Sequence, residues 1–242
     1  MKLYKNLSKI YDLLYSYRDY DKEAEFLIGQ LPRGVSPSFL DVACGTGAHL
    51  EAVRKKLPLA RLGGIDLSKE MLAVAQKKSS DFKLVRADMR SFDIGRNFDM
   101  IYCLSGSIQY NLSQEDLTKT IHSMRKHAVS GKVIFDLAYC LERWREGYTN
   151  ITANSNEQFE VAELYTSHSK DGFSYWNPLY LIKDKKTGKM DMHVDTHKIK
   201  LWSIPEVEDL LKSRKIDYTL QRGFTAKDIS DIPVFILEGL KS

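Results

Sequence analysis

The chain has 242 residues, room for one sizeable α/β domain with an insertion rather than two independent domains. Its 43% apolar and 28% charged shares are ordinary for a globular chain, and a formal charge of +4 is far below that of a dedicated nucleic-acid binder. No run approaches the ~20 apolar residues of a membrane-spanning helix, and the segment from Met1 to Tyr20 lacks a signal peptide's apolar stretch. Cys44, Cys103 and Cys140 show no paired spacing, so reduced thiols in a cytoplasmic protein are expected.

In chain order, an amphipathic helix is expected over Tyr20 to Gln30, ending before Leu31-Pro32-Arg33-Gly34. A buried strand follows over Ser38 to Val42, then a glycine turn and a helix over Ala48 to Lys56. The next strand, Arg61 to Ile65, runs into Asp66, and Ser68 is placed to cap the following helix, with Glu70 in its first turn. Further strands are expected over Lys83 to Arg86, Phe98 to Cys103 and Lys132 to Phe135, with a helix over Glu115 to His127. This alternation describes an α/β, Rossmann-like sheet, mostly parallel and covered on both faces. After Tyr139 the rhythm changes. Three strand-like stretches between Phe159 and Trp202 are separated by Lys170-Asp171-Gly172 and by Lys185-Lys186-Thr187-Gly188. They predict an antiparallel β cap over about residues 140–202, inserted into a single domain of residues 1–242. A helix over Pro205 to Ser213 and strands over Tyr218 to Gly223 and Val234 to Glu238 complete a seven-stranded sheet.

Phe39-Leu40-Asp41-Val42-Ala43-Cys44-Gly45-Thr46-Gly47 sets two glycines where a buried strand must turn into a helix. Glycine accepts backbone angles that other residues resist and lets a ligand approach the main chain. In doubly wound sheets, nucleotide-like ligands bind in the crevice beyond the strand end. A plain glycine turn explains Gly45 and Gly47 taken alone, but Asp66 then stands where a carboxylate accepts both hydroxyls of a ribose. Asp88 and Met89 follow the third strand, suited to an adenine's edge and face. A dinucleotide fingerprint requires a third glycine where Leu50 stands. Asp41 would repel a pyrophosphate and suits a cofactor with a cationic amino-acid tail.

Asp41-Val42-Ala43-Cys44-Gly45-Thr46-Gly47, Gly64-Ile65-Asp66-Leu67-Ser68-Lys69-Glu70-Met71-Leu72 and Ala87-Asp88-Met89-Arg90 resemble, in order and spacing, the cofactor motifs of class I S-adenosylmethionine-dependent methyltransferases. The resemblance implies S-adenosyl-L-methionine as cofactor, held by Ala43, Asp66, Asp88 and Met89, with Asp41, Gly45, Gly47 and Leu67 in the same motifs. A narrower resemblance covers nearly the whole chain. Tyr11-Asp12-Leu13-Leu14, Arg18-Asp19-Tyr20 and Glu23-Ala24 are similar to the N-terminal segment of the amino-sugar N,N-dimethyltransferases of macrolide (desosamine and mycaminose) biosynthesis. It implies that this segment folds over the cofactor, with Tyr11 and Tyr20 as contacts; core packing is the competing reading of these tyrosines. Tyr4 falls near a substrate-side tyrosine of the family, one residue short in its spacing to Tyr11.

Cys103-Leu104-Ser105-Gly106-Ser107-Ile108-Gln109-Tyr110 is similar to the family's loop beside the reacting amine, which puts Leu104 on the cofactor and Tyr110 on the substrate. Asp136 replaces the family's glutamate and Tyr139 one of its tryptophans. Tyr110 and Asp136 are thus the catalytic candidates, Tyr110 hydrogen-bonding the nitrogen and Asp136 orienting it or taking its proton. Tyr4, Tyr110, Asp136 and Tyr139 form the substrate side. Thr166-Ser167-His168-Ser169 and Val194-Asp195-Thr196-His197 match cap strands of the family, but Tyr165 and Ile232 stand where two phosphate-gripping arginines are expected.

The expected activity is N-methylation of a small amine such as an amino sugar. Methylation of RNA or protein is the first alternative; the loop from Cys103 lacks the Asn/Asp-Pro-Pro-aromatic motif of base methylases, and the chain has no basic stripe. A non-catalytic cofactor-binding regulator is the second. His193, Asp195 and His197 would share one face of a strand and could ligate a metal, but a satisfied polar face is commoner and no metal is assigned. His49, His122 and His127 read as structural. The partners expected are a small-molecule substrate, neither membrane nor nucleic acid, and a homodimer is left open.

Overall fold

In the computed structural model, which describes residues 1–31, 37–223 and 231–240, a 3-10 turn at Ser8–Ile10 leads into α1 (Tyr11–Leu14). The helix α2 (Tyr20–Gly29) is capped by the Asp19 carboxylate, which accepts from Lys22 N–H. There follow β1 (Ser38–Val42), α3 (Ala48–Lys56), β2 (Arg61–Asp66), α4 (Lys69–Lys78), β3 (Lys83–Arg86), β4 (Met100–Cys103), α5 (Gln114–Lys126) and β5 (Lys132–Asp136). The cap carries β6 (Thr149–Ser155), β7 (Phe159–Lys170), β8 (Phe173–Trp176), β9 (Leu179–Asp184), β10 (Met190–Val194) and β11 (His197–Lys200). The chain closes with α6 (Ile204–Ser213), β12 (Tyr218–Arg222) and β13 (Pro233–Glu238).

The main sheet runs β12-β13-β5-β4-β1-β2-β3, with β13 antiparallel to its neighbours and the other pairs parallel. Its central strands are apolar at successive positions because alternate side chains enter different cores. Leu40, Ile101, Cys103, Val133 and Phe135 pack with Leu117, Ile121 and Met124 of α5 and Val207 and Leu211 of α6. Phe39, Met100, Tyr102 and Ile134 pack on the other face with Ala24 and Leu27 of α2 and Leu50 and Val53 of α3. Each fully buried side chain of this size stabilises the fold by about 1.5–3 kcal/mol.

The expected elements of the main sheet are present to within a residue or two at their ends. At β4, Phe98 and Asp99 precede the strand: Phe98 N–H is bonded to the His127 carbonyl, and the Asp99 carboxylate accepts from Ser38 N–H at 2.8 Å. The Ser68 cap is present, its hydroxyl accepting from Met71 N–H at 3.1 Å. Residues 32–36, which hold the expected break after the first helix, lie outside the described residues.

The cap differs from expectation in having six strands rather than three stretches. The second stretch breaks at Asn177-Pro178, where proline has no N–H for a ladder. The third breaks at Asp195-Thr196, where Asp195 N–H turns to the Pro178 carbonyl. The strand β6, Thr-Asn-Ile-Thr-Ala-Asn-Ser, is too polar to show hydrophobic alternation, and its pairing with β7 is what orders it. One face of the cap sheet buries Phe159, Val161, Tyr180 and Ile182 against Leu3, Leu7, Ile10 and Leu14, so the N-terminal segment is a strap gripped by the cap. The opposite face leaves Ile151, Leu164, Leu181, Met190, Met192 and Val194 exposed.

Candidate active site

The turn from β1 into α3 is built from left-handed backbone: Ala43, Gly45 and Gly47 have φ of 61°, 53° and 73°. A Cβ on Gly47 would lie 3.1 Å from that of Ala75, so glycine also lets α3 start close against α4. Asp66, ending β2, is pinned from both sides: Gly45 N–H donates to Oδ2 at 2.9 Å and Ser68 N–H to Oδ1 at 2.8 Å. Burial raises its pKa, and these backbone bonds oppose the rise.

Asp41 is 2% exposed, and its Oδ2 has no hydrogen-bond partner. Burial, and then the neighbouring Asp66, push its carboxyl well above the usual range. A buried carboxyl with one oxygen unpartnered, next to a glycine turn, fits a ligand that brings a cationic group, so the residues present suit a nucleoside with an ammonium tail.

Asp88, expected at an adenine's edge, is paired within the chain. Arg90 forks it, Nε to Oδ1 at 3.0 Å and Nη2 to Oδ2 at 2.6 Å, and continues to Asp116 at 3.2 Å. Its pKa is lowered, first by the Arg90 side chain. The Met89 sulfur accepts from Asn111 Nδ2 at 3.5 Å, Leu104 is buried beside β4, and Leu67 is exposed at the crevice.

The strap crosses this crevice and is tied down at several points. The Tyr4 carbonyl accepts from the Ser68 hydroxyl, and the Asp12 carboxylate accepts from the Thr46 hydroxyl and pairs with Lys78 at 2.7 Å. Tyr11 lies 6.2 Å from Tyr4 and 4.6 Å from Tyr15, ring to ring. Tyr20 stands edge-on to His49 at 4.9 Å, and Glu23 joins Arg18 to His49 behind it. His49 is therefore structural.

Asp136 is completely buried, and its oxygens accept from Ser105 N–H at 2.7 Å and Gly106 N–H at 2.6 Å. Burial lifts its pKa to about 6, against the Gly106 and Ser105 bonds. These bonds hold the loop after β4 in a left-handed turn, with φ of 67° at Ser105 and 70° at Gly106. A Cβ on Gly106 would come within 2.7 Å of the Tyr139 ring, so that ring seats on bare backbone. Gln109, which sequence reasoning passed over, clamps the loop: Oε1 accepts from Tyr139 N–H, and Nε2 donates to the carbonyls of Tyr139 and Lys200.

Beside the loop opens a cavity of about 1130 Å³. Tyr4, Tyr11, Tyr110 and Tyr139 line it, as do Glu163, Tyr165, Trp176 and His197 from the cap, whereas Ile232 is buried in the core. Asp136 is not among its lining residues. Tyr110 Oη is 2.9 Å from Tyr4 Oη and 2.8 Å from His197 Nδ1. Arg143, Arg145 and Arg222 also line the cavity, the first two from the connection after β5 and the third from the end of β12. Glu163 Oε1, Trp176 Nε1 and Arg143 Nη1 are buried polar atoms without a partner. Such atoms are rare unless a ligand completes them. Burial pushes the Glu163 carboxyl up to about 7, with the Tyr180 hydroxyl opposing it.

His193, Asp195 and His197 do not share a strand face. His193 ends up in β10 opposite Tyr180, His197 in β11 opposite Trp176, and Asp195 lies between the strands. Among the described residues no cluster of three such groups could hold a metal, and no helix is long and apolar enough to cross a membrane.

A family model described as a methyltransferase domain matches residues 39–131. The dTDP-3-amino-3,6-dideoxy-alpha-D-glucopyranose N,N-dimethyltransferase of Streptomyces fradiae is 30% identical over 232 residues, 93% of this chain and 84% of that protein. The dTDP-3-amino-3,4,6-trideoxy-alpha-D-glucopyranose N,N-dimethyltransferase of Streptomyces venezuelae is 30% identical over 204 residues, 82% of this chain and 85% of its own length. Among solved structures, DesVI of Streptomyces venezuelae superposes with a TM-score of 0.83 at 25% identity, covering 96% of this chain and 98% of its own. The sugar N-methyltransferase KedS8 of a Streptoalloteichus species gives 0.81 at 28% identity, covering 96% and 93%.

Proposed function

Because the chain belongs to the class I S-adenosylmethionine-dependent methyltransferases, in the family of the amino-sugar N,N-dimethyltransferases, we propose that it N-methylates an amino sugar carried on a nucleotide. The observation that carries this reading is one cavity lined both by Tyr4 and Tyr110 and by Arg143, Arg145 and Arg222. Guanidinium groups grip phosphate oxygens with paired hydrogen bonds. Their place in the cavity supports this reading, although Tyr165 and Ile232 stand where two arginines are expected. Glu163 Oε1 and Trp176 Nε1 then offer an acceptor and a donor to the sugar.

The cofactor is S-adenosyl-L-methionine. When bound, it supplies an electrophilic methyl group. Asp41 would hold its ammonium, Asp66 its ribose, and Asp88 with Met89 its adenine; Ala43, Gly45, Gly47, Leu67 and Leu104 would line the nucleoside pocket, with Tyr11 and Tyr20 above it. The remaining work is positioning and exclusion of water. Tyr4 and Tyr110 turn hydroxyl oxygens toward the amine, the aromatic wall keeps it unprotonated, and Tyr139 closes the side next to Gly106. Asp136 acts by holding the Ser105-Gly106 turn. We read the chain as one cytoplasmic domain whose cap, about residues 140–202, selects the substrate.

The test is methyl transfer from labelled S-adenosylmethionine to dTDP-3-amino-3,6-dideoxy-α-D-glucopyranose. Transfer is expected, and Arg143→Ala or Arg145→Ala should raise KM about tenfold, the worth of one charge-assisted hydrogen bond, with kcat little changed. Transfer to tRNA and none to the nucleotide sugar would reverse the assignment.

A further inference from the structure

The cap brings a second titratable pair to the two tyrosines. His197 Nδ1 meets Tyr110 Oη at 2.8 Å, and His197 Nε2 faces Asp195 Oδ2 at 3.2 Å. Asp195 is fixed by N–H donors on both oxygens, Leu3 on Oδ2 at 2.8 Å and Thr196 on Oδ1 at 2.9 Å, with the N-terminal ammonium 3.8 Å from Oδ1. The His197 side chain is wholly buried between the Trp176 ring at 4.4 Å and the Tyr4 ring at 5.3 Å. The titratable and charged groups facing it are Asp195, Tyr4, Tyr110 and the N-terminal ammonium.

The negative charge of Asp195 then sets the direction of the protons in the chain. The Nε2 contact falls outside hydrogen-bond geometry and leaves that atom without a partner, but a carboxylate 3.2 Å away repels a bare nitrogen and so favours the proton on Nε2. The bare Nδ1 can only accept, so the Tyr110 hydroxyl must donate to it. The Tyr110 proton being committed, the 2.9 Å contact with Tyr4 is closed by the Tyr4 proton. The lone pairs of Tyr4 Oη are thereby left for the cavity, where an acceptor is what an amine N–H requires.

We propose that Asp195 and His197 are positioning residues that set the polarity of the Tyr110–Tyr4 pair, so that the cavity presents a hydrogen-bond acceptor to the substrate amine. One N–H donated to Tyr4 Oη restrains the nitrogen and turns its lone pair toward the transferable methyl group. The proposal rests on the N-methylation reading and adds to it a reason for the buried pair. Burial pulls the His197 pKa down to about 4 despite Asp195, so the polarity stays fixed at neutral pH.

Two measurements decide it. In the substrate-free protein, nitrogen NMR of His197 should report the Nε2–H tautomer, and Asp195→Asn should shift it toward Nδ1–H; an Nδ1–H tautomer in the unaltered protein overturns the proposal. In turnover, His197→Gln keeps an oxygen that can accept from Tyr110, whereas His197→Leu fills the space without one. The glutamine variant should stay within about fivefold of the original kcat and the leucine variant fall at least tenfold, both binding S-adenosylhomocysteine normally. Equal activities overturn the proposal, because packing alone favours leucine. Failure of the unaltered protein to methylate any amine sinks the functional reading instead, and the tautomer still decides the polarity.

Discussion

Glu163 is 3% exposed among aromatic rings, with one oxygen unpartnered. Such a carboxyl is held against its own solvation. A group whose pKa rises from 4.5 to about 7 on folding binds its proton more tightly folded than unfolded. The stability it contributes is therefore present below about pH 4.5 and is lost as pH rises through about 7. Glu163→Gln should leave the melting temperature nearly unchanged at pH 4.5 and raise it at pH 8, by on the order of 2 kcal/mol of stability. The same substitution should weaken substrate binding, and a thermal-shift series over pH beside a KM measurement checks both. Stability traded for function is the signature of a binding residue.

Among the elements, the strap has the least intrinsic structure, two short turns and a helix of four residues, and is held by what it touches. Asp12 ties it to Thr46 and Lys78 across the cofactor crevice. Asp12→Ala should accelerate dissociation of S-adenosylhomocysteine about tenfold, as loss of a charge-assisted bond implies, with little change in melting temperature; stopped-flow exchange measures it. The strands and helices around the crevice were legible in the sequence because strand, glycine turn and helix are contiguous, and Gly45 to Asp66 is one short stretch. The cap was legible only as a change of rhythm. Pro178 and Asp195 split its strands, and polar β6 is ordered by β7 rather than by its own pattern. The Tyr110–His197 bond joins residues 87 positions apart, and Arg143 and Arg145 reach the cavity from the connection after β5, so no local spacing signals either. The role expected of Asp136 missed its backbone partners for the same reason: Ser105 and Gly106 lie 31 and 30 residues away.

At the scale of the whole molecule, the exposed face of the cap sheet is an open apolar surface. Leu164, Leu181, Met192 and Val194 sit on adjoining strands of β7, β9 and β10, at 39%, 39%, 67% and 53% exposure. Apolar patches of this kind mark association sites. A homodimer, which the sequence leaves open, would cover this face with a second copy of the chain. Light scattering should show a dimer at micromolar concentration, and Met192→Asp with Leu181→Asp should give monomer.

Tyr4 takes part in two events at once. Its carbonyl is fastened by Ser68, the residue that caps α4 beside the Asp66 carboxylate proposed to hold the ribose, while its hydroxyl ends the chain that begins at Asp195. Lifting the N-terminus away would therefore dismantle the amine's docking point together with the roof of the nucleoside pocket. Turnover should follow a compulsory order: methyl donor first, sugar second, and the spent thioether last to leave.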